Sequence, residues 1–184
     1  MKKKQDRNGF SWMKAIGLGL ILAFTVRSFF FSSYIVEGQS MSPTLQEGNL
    51  LVINKIGYQF GELKRFDVIV FHANEKEDYV KRIIGLPGDR ISYENDILYI
   101  NGKPFEEPFL QPYKSLFTEN QLTFDFTLQE ITGEETVPEG HLFVIGDNRI
   151  GSFDSRHFGF IQINQVVGKV NLRYFPLDQL DISF

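Results

Sequence analysis

A serine hydroxyl turns nucleophilic near neutral pH only when a base stands beside it, and this sequence carries a serine and a lysine in settings suited to that pairing. Ser40 lies in Val36-Glu37-Gly38-Gln39-Ser40-Met41-Ser42-Pro43-Thr44-Leu45, where Gly38 lets the backbone approach closely and Pro43 restrains the residues after it. Lys81 lies in Tyr79-Val80-Lys81-Arg82-Ile83-Ile84-Gly85-Leu86-Pro87-Gly88-Asp89. Apolar surroundings disfavour the ammonium, lower the lysine pKa and leave an amine able to accept a proton. On a strand, Lys81 shares a face with Tyr79 and Ile83 and opposes Arg82, so an inward Lys81 and an outward Arg82 are mutually consistent. Taken singly, Ser40 also reads as a plain turn residue, and Lys81-Arg82 as a solvent-facing pair on an edge strand.

A third polar constellation, Gly146-Asp147-Asn148-Arg149-Ile150-Gly151-Ser152-Phe153-Asp154-Ser155-Arg156-His157-Phe158-Gly159, comes after the apolar Val144-Ile145. Its glycine-bounded turns, dense in hydrogen-bonding side chains, are of the kind that orient a base or brace a loop, and a hydroxyl here could steer the lysine amine. The same stretch also reads as a surface loop with an Asp154–Arg156 ion pair. The absence of cysteine excludes disulfides, thiolate catalysis and sulfur-bound zinc. His72, His141 and His157 are widely spaced, with no i, i+4 pair, so no metal site is expected.

These groups need elements to hold them. In a chain of 184 residues there is room for one membrane anchor and one domain of about 150 residues with a sizeable core. The formal net charge is −4; the first 14 residues carry Lys2, Lys3, Lys4, Arg7 and Lys14 against Asp6, a net +4, which leaves −8 over the remainder. An acidic body without a basic stripe argues against nucleic acid as a partner.

From Trp12 to Phe31 the chain is almost wholly apolar, and about 20 residues at ~1.5 Å per residue span the hydrocarbon core of a bilayer. Arg27 lies near the far end, where its stem can reach the headgroups. The sequence therefore predicts a cytoplasmic tail over 1–11, a transmembrane helix over 12–31 and an extracytoplasmic domain over 32–184. A cleaved signal peptide is the competing reading, but no Ala-x-Ala-like site succeeds the apolar run.

Beyond the anchor the pattern is that of strands: 50–54, 66–71, 79–84, 97–101, 142–145 and 166–175 are short, β-branched and bounded by turn formers, with a tight turn at Asn101-Gly102. No long amphipathic helix interrupts them, so the body is predicted to be mainly β, antiparallel and barrel-like. Residues 104–132, rich in Phe and Glu, read either as an insertion covering part of the core or as an exposed aromatic surface for lipid or an extended peptide.

Three blocks occur in the order found in the bacterial type I signal peptidases: Gly38 to Leu45 with the adjoining Gly48 to Lys55, Lys81 to Asp89, and Gly146 to Gly159. The chain resembles a small Gram-positive-type member of that family. The resemblance implies Ser40 as nucleophile, Lys81 as general base and Met41 beside the cleft. It implies that Ser152 hydrogen-bonds the Lys81 amine, while Asp147, Arg149, Asp154 and Arg156 support the site. The implied substrates are secretory preproteins cut after small residues at −1 and −3, at the membrane lipid and near the translocase, with no cofactor and no metal. Gly38 stands where some members place an oxyanion-donating serine, so the oxyanion is expected to rest chiefly on the Ser40 backbone N–H. Gly151 replaces a frequent asparagine. Val36, Met41, Leu45, Val52 and Ile53 are candidate pocket walls. The rival readings are an inactive peptide-binding homologue and a self-cleaving Ser/Lys regulator.

Overall fold

The computed structural model describes residues 12–22, 31–55, 63–114, 121–182 and 184. Its strands are β1 (Phe31–Ile35), β2 (Leu50–Asn54), β3 (Val68–His72), β4 (Asp78–Gly85), β5 (Ile91–Glu94), β6 (Ile97–Ile100), β7 (Lys103–Phe105), β8 (Phe126–Thr127), β9 (His141–Ile145), β10 (Ile161–Gln162) and β11 (Val166–Phe175). They form a seven-stranded sheet, β1-β2-β11-β3-β4-β9-β10, and a four-stranded sheet, β7-β6-β5-β8, with antiparallel pairing throughout. The mainly β, antiparallel class expected from the alternating pattern is therefore the class observed.

The large sheet separates two cores. Val68 and Val70 of β3 point to one, with Leu51, Ile53, Val36, Met41 and Leu45. Ile69 and Phe71 point to the other, with Ile83, Leu142, Val144 and Ile161. This is why β3 is buried on both faces and reads as a continuous apolar run. A third cluster joins the small sheet to the large one through Tyr93, Leu98 and Phe126 against Ile84, Phe143 and Ile145. Each fully buried aliphatic side chain in these clusters contributes about 1.5–3 kcal/mol relative to exposure.

The large sheet coils strongly. β1 and β4 are separated by three strands in the sheet order, yet the Tyr34 hydroxyl on β1 donates to the Asp78 carboxylate on β4 at 3.0 Å. The β1 edge thus curls back to face β4 and leaves a cleft between them. β9 pairs with β4 only at Arg82, Ile83 and Gly85, so residues 78–81 keep the edge toward the cleft unpaired.

Several expectations are corrected or refined here. Arg82 does not face solvent: it is 3 % exposed, because the face opposite Lys81 is covered by the connections to the small sheet. The described residues of 104–132 are chiefly core-building, since Leu110, Leu122, Phe126 and Leu128 are buried, although Phe105 and Phe124 stay exposed. A helix within it, Leu128–Thr132, starts at a Thr127/Glu130 capping box and stops at Gly133. Strands β1, β5, β7, β8 and β10 were not predicted from the pattern, and Phe31, assigned to the end of the anchor, opens β1. Asn101-Gly102 makes the expected turn, both residues having positive φ.

Residues 12–22 are helical and expose Trp12, Leu18, Leu20 and Leu22. No helix among the described residues is long and apolar enough to cross a membrane. The rest of the apolar run, residues 23–30, and the basic tail 1–11 lie outside the described residues; Phe31 opens β1.

Candidate active site

Lys81 and Ser40, 41 residues apart in sequence, meet at the cleft: Lys81 Nζ donates to Ser40 Oγ at 2.8 Å and to the Val80 carbonyl at 3.1 Å. Lys81 is 3 % exposed, and its ammonium lies 5.1 Å from the centre of the Tyr79 ring. Desolvation lowers its pKa from the ordinary 10.5 to about 8, against the opposing pull of Asp154 and Asp147. An amine with that pKa is partly neutral near physiological pH and within reach of the serine proton.

Ser40 sits in the turn between β1 and β2. The turn is tied by Ser42 N–H to Gln39 O at 3.1 Å and Leu45 N–H to Met41 O at 2.9 Å, and Gly38 takes a positive φ within it. A second turn, 146–151, grips it from outside: Asn148 N–H donates to Ser40 O at 3.0 Å, and Asn148 Nδ2 to Gln39 O at 3.1 Å. Contact this close requires glycine at 146, where a Cβ would stand 2.4 Å from Ser40 O and 2.2 Å from Ser152 Oγ. Among the described residues no protein acceptor takes the Ser40 N–H, which leaves it available as an oxyanion donor.

The second turn rests on buried ion pairs. Arg82 binds Asp147 through two parallel bonds, at 2.9 and 2.7 Å, and donates to Phe66 O at 2.8 Å. Its guanidinium also lies 3.9 Å from the Phe109 ring centre. Arg156 binds Asp154 in the same bidentate fashion, both bonds at 2.8 Å, and caps Arg149 O at 2.7 Å. Burial alone would raise the Asp154 pKa, but Arg156, the Gly146 N–H and the nearby Ser152 hydroxyl outweigh it and hold the carboxyl below its ordinary value.

Arg149 pairs with Glu107, its Nη1 also donating to Tyr93 Oη at 2.9 Å and Thr123 Oγ1 at 3.2 Å. Burial, with help from Glu107, raises the Tyr93 pKa well above its usual value. Removing one partner from such pairs strands a buried charge, whereas the intact pair chiefly fixes geometry.

Asp147, Arg149, Asp154 and Arg156 thus form the scaffold beneath the Ser40–Lys81 pair. Ser152 is placed differently from expectation. Its hydroxyl makes no hydrogen bond to Lys81 and none of full geometry elsewhere, being wedged against Gly146 close to the Asp154 carboxylate.

Of the candidate walls, Val36 and Met41 line the cleft, which encloses about 540 Å³ together with Tyr34, Val70, Tyr79 and Val80. Leu45, Val52 and Ile53 do not line it. Leu45 and Ile53 are fully buried in the core behind the Ser40 turn, and Val52, which alternates with Leu51 and Ile53 on β2, turns to the opposite face. Sequence reasoning missed Glu107, Tyr93, Asn148, Tyr34 and Asp78. Of these, Asn148 lay inside the Gly146–Gly159 block and Glu107 inside the stretch 104–132. Among the described residues no cluster of His, Asp and Glu could hold a metal ion.

A family model described as signal peptidase, peptidase S26, matches residues 9–175. The chain is 56 % identical over 184 residues to signal peptidase I of Bacillus caldolyticus, covering all of both chains. It is 46 % identical over 160 residues to signal peptidase I V of Bacillus subtilis (strain 168), covering 87 % of this chain and 95 % of the relative. The crystal structure of a signal peptidase I from Enterococcus faecalis V583 superposes with a TM-score of 0.57 at 43 % identity, over 59 % of this chain and 97 % of the other. A mainly β body carrying a serine and a desolvated lysine in contact is thus joined to sequence identity along the whole chain, and the chain belongs to the peptidase S26 family of signal peptidases.

Proposed function

We propose that this chain removes signal peptides from secretory preproteins as a membrane-anchored serine endopeptidase, with Ser40 as nucleophile and Lys81 as general base. The observation that carries the assignment of roles is the 2.8 Å contact between Lys81 Nζ and Ser40 Oγ in a desolvated pocket opening onto a cleft. The preprotein lies extended between the free edges of β1 and residues 78–81, with its small −1 and −3 side chains against Val36, Met41, Val70 and Val80. With the peptide backbone filling the cleft between the two strand edges, these walls select by size, because the side chains behind them belong to the packed core.

Neutral Lys81 takes the Ser40 proton as Oγ bonds to the −1 carbonyl carbon, and the resulting oxyanion meets the Ser40 N–H. Collapse breaks the scissile C–N bond, and the Lys81 ammonium returns its proton to the leaving amine. Lys81 then deprotonates a water, which attacks the ester; Ser40 regains its proton and the signal peptide leaves with a free carboxylate. Bound substrate also excludes water from the amine, which favours its neutral form further.

The anchor is the apolar run from residue 12 that ends before Phe31, the first residue of β1, with the basic tail 1–11 in the cytoplasm and the β domain from residue 31 outside, beside the translocase in the cell membrane. Its support is the run of apolar residues and the outward-facing side chains of the helical residues 12–22. The chain has no cysteine, so single cysteines report topology cleanly: an impermeant maleimide should label Glu75→Cys in intact cells and Gln5→Cys only after permeabilisation.

The activity is tested by offering a precursor with Ala-x-Ala before its mature start to wild type, Ser40→Ala and Lys81→Ala in detergent. Wild type alone should cleave, and chelators should leave cleavage unaffected. Equal cleavage by all three, or none by folded wild type, overturns the reading.

A further inference from the structure

We propose that a second, aromatic pocket on the opposite face of β4 binds the side chain of the substrate residue at −2 and favours a large apolar one there. The proposal rests on the extended substrate of the preceding section and adds a specificity element to it. The pocket encloses about 280 Å³ among Phe71, Ala73, Tyr79, Phe153, Phe158 and Ile161. An apolar cavity on the order of 150 Å³ already holds a benzene ring. Tyr79 and Phe153 line both this pocket and the cleft, so the two spaces adjoin across those side chains.

The faces of β4 decide which substrate residue reaches it. Val80 packs into the core that also holds Val36, Met41 and Val70, the floor of the cleft. Tyr79 packs against the other core, with Phe71, Phe158 and Ile161, which walls the aromatic pocket. A peptide laid along the free edge of residues 78–81 continues the sheet, so its side chains alternate between these two faces. If −1 and −3 enter the cleft, −2 and +1 point to the aromatic side. The cleft runs from Ser40 and Lys81 back to Tyr34 and Asp78, and Tyr79 lies along that direction, two residues before Lys81. That places the pocket at −2 and not at +1.

The rings leave the pocket open instead of filling it. Phe71 meets Tyr79 edge-on at 6.2 Å, and Phe153 meets Phe158 edge-on at 5.6 Å. Phe153 is 56 % exposed, an apolar surface that a bound side chain would cover. Asn74 and Gln165 also line the pocket, so a polar −2 side chain could meet them, but most of the walls are apolar.

The test uses the full chain in detergent and peptides identical except for Ala, Leu, Phe or Glu at −2, with a parallel set varied at +1. For wild type, kcat/KM should rise about tenfold from Ala to Phe at −2, as expected for burying several apolar carbons, and should not track apolar size at +1. In Ala73→Trp, which fills the pocket, the ratio of the Phe to the Ala substrate should fall close to one. Should that variant fail to fold, Phe153→Ala, which removes the shared wall, should lower the same ratio. Indifference to −2 in wild type, a preference located at +1, or an unchanged ratio in a folded variant would each overturn the proposal. The underlying peptidase reading is tested separately, because it requires only that cleavage of the −2 Ala peptide disappear in Ser40→Ala.

Discussion

Asn148 grips the nucleophile turn at two successive carbonyls, its backbone N–H on Ser40 O at 3.0 Å and its Nδ2 on Gln39 O at 3.1 Å. Its Oδ1 meanwhile accepts the Gly151 N–H at 3.0 Å. Both ends of that side-chain amide are committed to fixing one turn against the other. The peptide carrying the Ser40 N–H, the oxyanion donor of the proposed mechanism, is thereby held in place.

Asn148→Ala should accordingly lower kcat by about tenfold, the scale of a lost hydrogen bond plus loosened oxyanion geometry. KM and the pH midpoint should stay near wild type. Asn148→Asp keeps the acceptor for Gly151 but loses the donor to Gln39 and adds a negative charge to the turn that holds Ser40. It should show the same fall in kcat together with an upward shift of the midpoint. Steady-state kinetics across pH separate the two effects, and an unchanged kcat in both variants would remove Asn148 from any positioning role.

With Lys81 as the proposed general base, its titration sets the expected pH profile of the wild-type enzyme. The Lys81 pKa, lowered by desolvation to about 8, marks the boundary below which the amine is protonated and cannot accept the Ser40 proton. The rate constant kcat/KM should rise tenfold per pH unit below that midpoint and level off above it. Lys81→Arg should be inactive across the range, since a guanidinium stays protonated. A flat profile from about pH 6 to about pH 9 would contradict the lysine assignment.

The Ser40–Lys81 pair that meets in the cleft was legible because its settings are local: an apolar tract around a lysine, and a glycine- and proline-framed turn around a serine. What covers each face was not. Alternation places Arg82 opposite Lys81, but only the packed structure shows that Asp147, Phe66 and Phe109 enclose it. Glu107 is one of several glutamates in residues 104–132, and nothing local separates the buried partner of Arg149 from its exposed neighbours. Strands of two or three residues, such as β7, β8 and β10, are too short to show a period. Leu45 and Ile53 were apolar and close to Ser40 in sequence, yet the turn directs them into the core behind it.

The Arg82–Asp147 pair is fully enclosed, with side chains 4 % and 0 % exposed. Asp147→Ala should lower stability by about 3–5 kcal/mol, because Arg82 stays charged without its partner. The double variant Arg82→Met with Asp147→Leu should recover a large part of that loss, since neither charge is then buried. Denaturant unfolding of the three chains decides the matter. A double variant no more stable than Asp147→Ala would mean that the pair contributes through its hydrogen bonds to the turn and not through mutual neutralisation.

Holding an amine in an apolar site costs the fold stability, and the sign of that cost can be measured. The folded pKa of Lys81 is about 8, below its ordinary value of 10.5, so between these limits the unfolded chain binds more protons than the folded one. Stability therefore rises with pH through that window. The full cost applies below the folded pKa and is relieved above the unfolded one. At about 1.36 kcal/mol per unit the cost is on the order of 3 kcal/mol. Lys81→Met, which keeps the length of the side chain without the charge, should be inactive yet more stable than wild type at pH 7, by about 1–3 kcal/mol after repacking losses. Its advantage should shrink steadily as pH rises from about 8 toward 10.5. Chemical denaturation at several pH values reads both quantities, and a Lys81→Met chain that is less stable at every pH would show that the amine is better solvated in the fold than its burial suggests.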